Sequence, residues 1–194
     1  MVQRLARIWP VTPYSTLSAG STARLHLWRP RGRAEAHELS DSRIVRYLFG
    51  WTLYYQGERQ RAEALLESMI DDEGPVPGNA RATLAAILAA RGATSEARAL
   101  AERVASERDL IHHGAYGLGT AYAQLHDPAT ALRWLSQAAT TGFPCYPWYE
   151  RDPLLDPIRN DSRFALFMRE MRRSWADASA KYVGGSRENP AERR

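Results

Sequence analysis

The chain contains a single cysteine and a single lysine among its 194 residues. Cys145 alone excludes an internal disulfide, which is typical of proteins in a reducing compartment. Because Lys181 is the only lysine, arginine carries nearly all of the positive charge. The net charge of +4 lies in residues 1–40, whereas residues 41–194 hold equal numbers of basic and acidic residues. This neutral remainder lacks the dense basic face that phosphate binding requires, so the composition argues against a nucleic-acid partner.

The sequence also lacks long apolar runs and strand patterns. No run approaches the ~20 apolar residues that cross a bilayer, and residues 1–20 lack the continuous apolar region of a secretory signal. We therefore expect a cytoplasmic protein with no membrane partner. Alternation of β-branched residues is absent as well, which predicts a chain without strands. A second interpretation of the acid-poor start is an organelle transit peptide, which would require a eukaryotic source.

Patterns that carry catalysis or metal binding are missing too. His112 and His113 are adjacent, so on a helix they point about 100° apart and do not share one metal. There is no G-x-S-x-G nucleophile turn and no phosphate-binding G-x-x-x-x-G-K loop. The three acidic residues at 71–73 are expected to form a solvated loop. The sequence therefore predicts a protein that is not an enzyme and uses no cofactor or metal.

What the chain does contain is a repeat with a period of 34–35 residues. Each copy has a large, a small and another large residue at positions i, i+1 and i+4 of one helix. An alanine of a second helix follows nine residues later, and a glycine or histidine between them marks the end of the first helix. The copies are Phe49-Gly50-x-x-Leu53 with Ala62-x-x-x-Leu66, Leu84-Ala85-x-x-Leu88 with Ala97-x-x-x-Ala101, and Leu118-Gly119-x-x-Tyr122 with Ala131-x-x-x-Leu135, and the turn positions are Gly57, Gly92 and His126.

The small residues predict close packing of the two helices in each copy, with the alanine meeting the small position of the first helix. This layout resembles the tetratricopeptide repeat. The resemblance implies an all-α fold, a right-handed α-α superhelix of about three helical hairpins that ends in a C-terminal capping helix. A generic helical bundle and an RNA-binding pentatricopeptide array, which has nearly the same period, are the alternatives.

A second resemblance lies near the C-terminus. The run D-P-x-x-D-x-x-R-x-D-x-R-F resembles the stretch that follows the last repeat in bacterial tetratricopeptide proteins. In that group such arrays often follow a serine/threonine kinase or a winged-helix DNA-binding domain. The alternative function is therefore a detached regulatory or sensor region of a kinase or transcription regulator. The residues that carry this resemblance are Asp152, Pro153, Asp156, Arg159, Asp161, Arg163 and Phe164.

The same run has a physical interpretation. The pairs Asp127-Pro128, Asp152-Pro153 and Asp156-Pro157 each predict a helix start, with Asp as N-cap and Pro as the first helical residue. Asp161 is expected to cap a long helix over residues 162–182. The apolar face of that helix predicts packing on the last hairpin. Its residues are Phe164, Phe167, Met168, Met171 and Trp175.

Three regions are expected. Residues 1–41 are a poorly defined N-terminal segment, interpreted as a degenerate repeat or a cap. Residues 42–183 form the tetratricopeptide-like domain with its capping helix, and Asn79 is expected to cap the first helix of the second unit. Residues 184–194 are polar and predict a disordered tail.

The tetratricopeptide resemblance implies a scaffold that binds a protein or peptide partner in a concave groove lined by the first helix of each unit. This groove lacks the Lys/Arg clamp that some members use for chaperone tails, so an apolar or aromatic-containing peptide fits it better. The alternative is that Trp51, Tyr54 and Tyr55 pack against residues 22–39. The predicted groove residues are Tyr47, Trp51, Tyr54, Tyr55, Asn79, His113, Tyr116, Thr120 and Gln124.

Overall fold

The computed structural model describes residues 42–71, 75–108 and 110–185, which form helices with no strand among them. The predicted all-α class is confirmed for this part of the chain. The segment expected at residues 1–41 and residues 186–194 of the expected tail lie outside the described residues. The helices are α1 (Arg43–Tyr55), α2 (Arg59–Glu67), α3 (Pro75–Ala90), α4 (Thr94–Ala105), α5 (His112–Gln124), α6 (Pro128–Thr141), α7 (Tyr146–Arg151), a 3-10 helix (Pro153–Ile158) and α8 (Ser162–Gly185).

The turns that join α1 to α2, α3 to α4 and α5 to α6 share one geometry. Gly57, Gly92 and His126 have φ angles of 86°, 92° and 58°, in the left-handed region that helix ends favour. The residue after each donates its N–H to the carbonyl five positions back, at 2.9–3.0 Å. The predicted turn positions are therefore confirmed, and three helical hairpins follow from them. The carbonyls belong to Leu53, Leu88 and Tyr122, the last large residue of each first-helix motif.

Within each hairpin, the small repeat position allows the two helices to come close. A Cβ on Gly50 would lie 3.0 Å from the Leu66 side chain, and one on Gly119 would lie 2.5 Å from that of Leu135. The expectation that the repeat alanine meets this position is corrected: the closest neighbour is the leucine four residues after it. The alanines themselves are fully buried. In the second hairpin, where the small position is Ala85, the leucine position holds the smaller Ala101, and both are buried.

Helices α3 and α5 form the centre of the described structure. They pack against each other, α3 also contacts α1 and α2, and α5 contacts α4 and the 3-10 helix. A Cβ on Gly117 of α5 would lie 2.8 Å from the Cβ of Ala82 on α3, which shows how close this contact is. The expectation that Asn79 caps a helix is wrong, because α3 begins four residues earlier, at Pro75. Asn79 is an interior residue of α3 and is fully buried.

Aspartate side chains cap three of the C-terminal elements, as predicted. Asp127, Asp152 and Asp161 accept hydrogen bonds from first-turn N–H groups at 3.1, 2.9 and 2.8 Å. The expectation of a separate helix start at Asp156 is wrong, since Pro157 lies inside the 3-10 helix. The chain therefore forms one continuous 3-10 helix of six residues here instead of two separate helix starts. The donors to the three aspartates are Thr130, Leu154 and Arg163.

Helix α8 packs against α6 and α7. Phe164 and Met171 are buried, and Phe167 and Met168 are partly buried against the same core. The predicted apolar face thus contacts the last hairpin. The helix extends to Gly185, so it includes two residues that the sequence assigned to the tail. None of the described helices combines the length and apolar character that a membrane-spanning helix needs.

Candidate functional site

Aromatic side chains from α1, α5 and the residues after α6 form one connected group, which we call the aromatic cluster. Trp51 of α1 lies at its centre. The Trp51 ring centroid is 5.0 Å from that of Trp148, 5.8 Å from that of His113 and 6.1 Å from that of Tyr47. The cluster joins helices of the first and third hairpins to the C-terminal part of the chain. Its members are Tyr47, Trp51, Tyr54, Tyr55, His113, Tyr116, Phe143, Trp148 and Tyr149.

Residues 143–158, which we call the closing segment, lie across the aromatic side chains of α1 and α5. Gly142 ends α6 with a φ of 142° and turns the chain toward them. Phe143 and Tyr149 then pack on Tyr116 of α5, with ring centroids 5.0 and 4.9 Å away. Trp148 packs on Tyr55 of α1 at 5.0 Å. The closing segment therefore covers the aromatic faces of the first and third hairpins.

Beneath these rings lies a buried carboxylate. Asp152 is 3% exposed, and its Oδ2 accepts hydrogen bonds from the hydroxyls of Tyr55, at 2.9 Å, and Tyr116. Its Oδ1 accepts the N–H of Leu154, and its backbone carbonyl accepts a guanidinium N–H of Arg159 at 2.8 Å. One residue of the closing segment thus holds α1, α5 and the 3-10 helix together.

The electrostatics of this site follow from burial. Burial raises the pKa of Asp152 to about 6, although its hydrogen bonds from Tyr116, Leu154 and Tyr55 oppose the shift. Burial, together with the nearby carboxylate, holds the pKa of Tyr55 and that of Tyr116 well above the ordinary value. Both carboxylate oxygens already accept hydrogen bonds and the group is shielded from solvent. The arrangement is suited to holding three elements together rather than to transferring protons to a substrate.

His113 lies at the edge of the cluster and is only partly exposed. Burial, with a smaller contribution from His112, lowers the pKa of His113 to about 4, so the ring is neutral at pH 7. Its ring packs on Phe143 at 5.3 Å. Across residues 42–71, 75–108 and 110–185, no three His, Cys, Asp or Glu side chains are grouped so that they could hold a metal ion. Cys145 is partly buried, and burial raises the pKa of its thiol.

Six of the nine residues predicted to bind a partner belong to the aromatic cluster. The other three lie elsewhere: Gln124 donates to the carbonyl of Leu154 at 2.7 Å, the Thr120 hydroxyl donates within α5, and the Asn79 side chain makes no hydrogen bond with the described residues. Gln124 thus also contacts the closing segment. The six are Tyr47, Trp51, Tyr54, Tyr55, His113 and Tyr116.

The nine residues predicted to bind a partner also differ in how deeply they are buried. Tyr47, Asn79, Tyr116 and Thr120 are at most 2% exposed, so a partner could not touch them without displacing the protein's own side chains. The remaining five are partly exposed, and their role in partner binding stays a prediction. The alternative contact with residues 22–39 lies outside the described residues. The five are Trp51, Tyr54, Tyr55, His113 and Gln124.

The residues that complete this site were not among those predicted from the sequence. Phe143, Trp148 and Tyr149 pack on the rings of Trp51, Tyr55 and Tyr116, and Asp152 was interpreted as a helix cap and as part of the C-terminal run, not as a hydrogen-bond acceptor for tyrosines. One signal was available: residues 143–149 hold four aromatic side chains in a short proline-containing stretch. Such a density of aromatic side chains indicates packing against another part of the chain.

On α1, a different set of residues faces solvent. Four large apolar side chains at positions i, i+1, i+4 and i+5 share one side of the helix, which we call the outer face of α1. Buried Tyr47, Gly50 and Leu53 lie on the other side. An exposed, contiguous apolar surface of this kind marks an interaction site more often than scattered single residues do. The outer face consists of Ile44 (41% exposed), Val45 (38%), Leu48 (41%) and Phe49 (49%).

Comparisons with known proteins do not assign the chain to a group: no family model matches it, and neither a curated protein nor a solved structure matches it.

Proposed function

We infer that this chain is a protein-interaction domain of the tetratricopeptide type, and that its partner docks on the outer face of α1. The observation that carries this proposal is the exposure of four large apolar side chains on one side of a single helix. Removing such side chains from water contributes about 25 cal/mol for each Å² of apolar surface buried, against which the entropy cost of association must be set. The repeat pattern and the three matching turns support the tetratricopeptide part of the proposal.

Charge indicates the chemistry of the partner. Helix α1 contains Arg43 and Arg46 but no acidic residue. Arg46 lies beside the outer face and donates a hydrogen bond to the Ser68 hydroxyl at 2.8 Å, which fixes its position. An amphipathic helix that carries an apolar stripe flanked by acidic residues would match both features of this surface.

The outer face is a better docking surface than the aromatic cluster, because the closing segment already packs on the aromatic side chains. A peptide that bound across Trp51 and Tyr55 would have to displace the Trp148 ring and break the hydrogen bond from Tyr55 to Asp152. The outer face needs no such rearrangement, because its four side chains already face solvent.

Site-specific photocrosslinking in the full-length chain tests the proposal. Benzoylphenylalanine replaces Phe49 on the outer face, and the matched control replaces Leu166 on α8, since both side chains are 49% exposed. In cells that express the chain naturally, we expect an adduct with another polypeptide from position 49 only. Mapping should place the crosslink on a helical segment with an apolar stripe and acidic flanks.

The charge variant Leu48→Glu completes the test. We expect it to abolish the adduct while the thermal midpoint stays unchanged, because Leu48 is exposed. Crosslinks from position 49 to residues 1–41 of the same chain, or to a second copy, would mean that the chain itself covers this face. Either result, or equal adducts from positions 49 and 166, overturns the proposal.

A further inference from the structure

An open cleft of about 220 Å³ lies where the end of the first hairpin turn meets the closing segment. Tyr54 and Tyr55 from α1 and Trp148 from α7 give it aromatic walls, and Arg59 and Arg151 bring two guanidinium groups to it. The cleft lies at the C-terminal end of α1, whereas the outer face consists of residues near its N-terminal end. What the cleft binds is therefore independent of the function proposed above.

The walls of the cleft are already held in place. The Tyr54 and Tyr55 rings meet edge to face at 5.2 Å, and the Tyr55 and Trp148 rings do so at 5.0 Å. The hydroxyl of Tyr55 is anchored on Asp152 at 2.9 Å. Because these contacts already hold the rings in place, a ligand would lose little free energy in ordering them.

The lining of the cleft contains two arginines and one aspartate. Arg59 and Arg151 are both exposed, whereas Asp152, the acidic side chain of the lining, is buried and its oxygens accept hydrogen bonds from Tyr55, Tyr116 and Leu154. Guanidinium groups pair with carboxylates through charge-assisted hydrogen bonds. The aromatic walls in turn favour a planar apolar group.

We propose that this cleft binds an aryl carboxylate, with the ring against the tyrosines and the carboxylate on Arg59 and Arg151. The size of the cleft agrees with this class of ligand. Drug-sized ligands occupy pockets of about 300–1,000 Å³, and a cavity of about 150 Å³ holds benzene, so 220 Å³ admits one ring with a small substituent. A free aryl acid and the C-terminal aromatic residue of a peptide share this chemistry.

Titration of the full-length protein, followed by NMR of its tryptophan indole and arginine side-chain N–H signals, tests the site. Phenylacetate represents the free acid, and acetyl-Gly-Gly-Phe with a free carboxyl terminus represents the peptide. Binding of either supports the proposal, and the tighter of the two identifies the source. We expect phenylacetamide and the peptide amide to bind roughly tenfold more weakly, because they lack the charge.

Arginine variants distinguish binding in this cleft from a general attraction of anions to the protein surface. Arg59→Gln and Arg151→Gln should each raise the Kd by roughly tenfold, while Arg98→Gln, an exposed arginine on α4, should leave it unchanged. Three results would overturn the proposal: no binding of either carboxylate, equal binding of acid and amide, or wild-type affinity in the Arg59 and Arg151 variants. Tighter binding of benzylamine than of phenylacetate would also overturn it, since the cleft would then select a cation.

Discussion

Tyr55 and Asp152 are 97 residues apart in the sequence and are joined by a hydrogen bond of 2.9 Å. Tyr116 donates to the same carboxylate oxygen. This pair of bonds links the first helix of the described structure, the central helix α5 and the closing segment. Because the shared acceptor is buried, the loss of either donor leaves part of a carboxylate charge without compensation inside the protein.

Tyr55→Phe and Tyr116→Phe should therefore each lower the free energy of unfolding, by about 1–3 kcal/mol. The matched control is Tyr54→Phe, the neighbour of Tyr55 in the chain and also partly buried, because the hydroxyls that donate to Asp152 Oδ2 are those of Tyr55 and Tyr116; we expect a change within about 0.5 kcal/mol. Urea unfolding followed by circular dichroism measures all three. Equal effects of Tyr54→Phe and Tyr55→Phe would contradict a specific contribution of the hydrogen bond from Tyr55 to Asp152.

The pH dependence of stability should contain two opposing contributions. The pKa of Asp152 is raised to about 6 in the folded protein, so its contribution is fully present below pH 4 and is lost as the pH rises through 6. The pKa of His113 is lowered to about 4, so its contribution is present above pH 6.5 and is lost as the pH falls toward 4. Between pH 4 and 6.5 the two therefore offset each other.

Single substitutions should separate these contributions. His113→Phe should gain stability as the pH falls from 6.5 to 4, because the raised pKa of Asp152 then sets the slope alone, by on the order of 2–3 kcal/mol. Asp152→Asn should instead lose stability over the same range. Thermal melts at half-unit pH steps measure both slopes. If the two variants have slopes of the same sign, the assignment of these pKa shifts is wrong.

The hairpin contacts predict a graded response to added methyl groups. In Gly119→Ala the new Cβ would lie 2.5 Å from the Leu135 side chain and 3.2 Å from the Leu135 backbone nitrogen, which cannot move freely. We expect a loss of about 1–3 kcal/mol. In Gly50→Ala the contact at 3.0 Å is with the movable end of Leu66, and the gain in helix propensity of about 1 kcal/mol offsets it. Denaturant midpoints that fall equally in both variants would contradict this difference.

The contact of α8 with the last hairpin can be tested with a pair of residues two positions apart. Phe164 is 3% exposed and Leu166 is 49% exposed. Phe164→Ala should lower the free energy of unfolding by about 3–5 kcal/mol, whereas Leu166→Ala should change it by less than about 0.5 kcal/mol. Light scattering of the Phe164 variant should also rise, because the apolar end of the hairpins becomes accessible. A Phe164 variant that melts like the wild type would mean that α8 contributes nothing to the fold.

Local features of the structure were predictable because their causes are local. A glycine or histidine that adopts a positive φ, an Asp that accepts the N–H groups of the next turn, and an apolar stripe at three- and four-residue steps each act over a few residues. Gly57, Gly92 and His126 therefore end helices where the repeat placed them. Asn79 and Asp156 were wrongly predicted to start helices. Both lie inside a helix, and a residue type that favours the N-cap does not start a helix when the chain before it is already helical.

The candidate site was only half predictable. The aromatic residues of α1 and α5 were expected to lie together, because the repeat places them at equivalent helix positions. That Trp148 and Asp152 complete the site could not be derived, since nothing in the spacing of residues 143–158 states which helices they pack against.

The sequence by itself determined an all-α chain of three hairpins with marked turns, capped helix starts and a final amphipathic helix. Only the tertiary structure decided that the closing segment covers the aromatic faces of the first and third hairpins, and that one buried carboxylate serves two tyrosines 61 residues apart. The physical reason is the sequence distance over which each interaction acts. Turn, cap and periodicity signals act within a few residues, whereas the partner of a buried side chain depends on how whole helices pack, which no short stretch of sequence encodes.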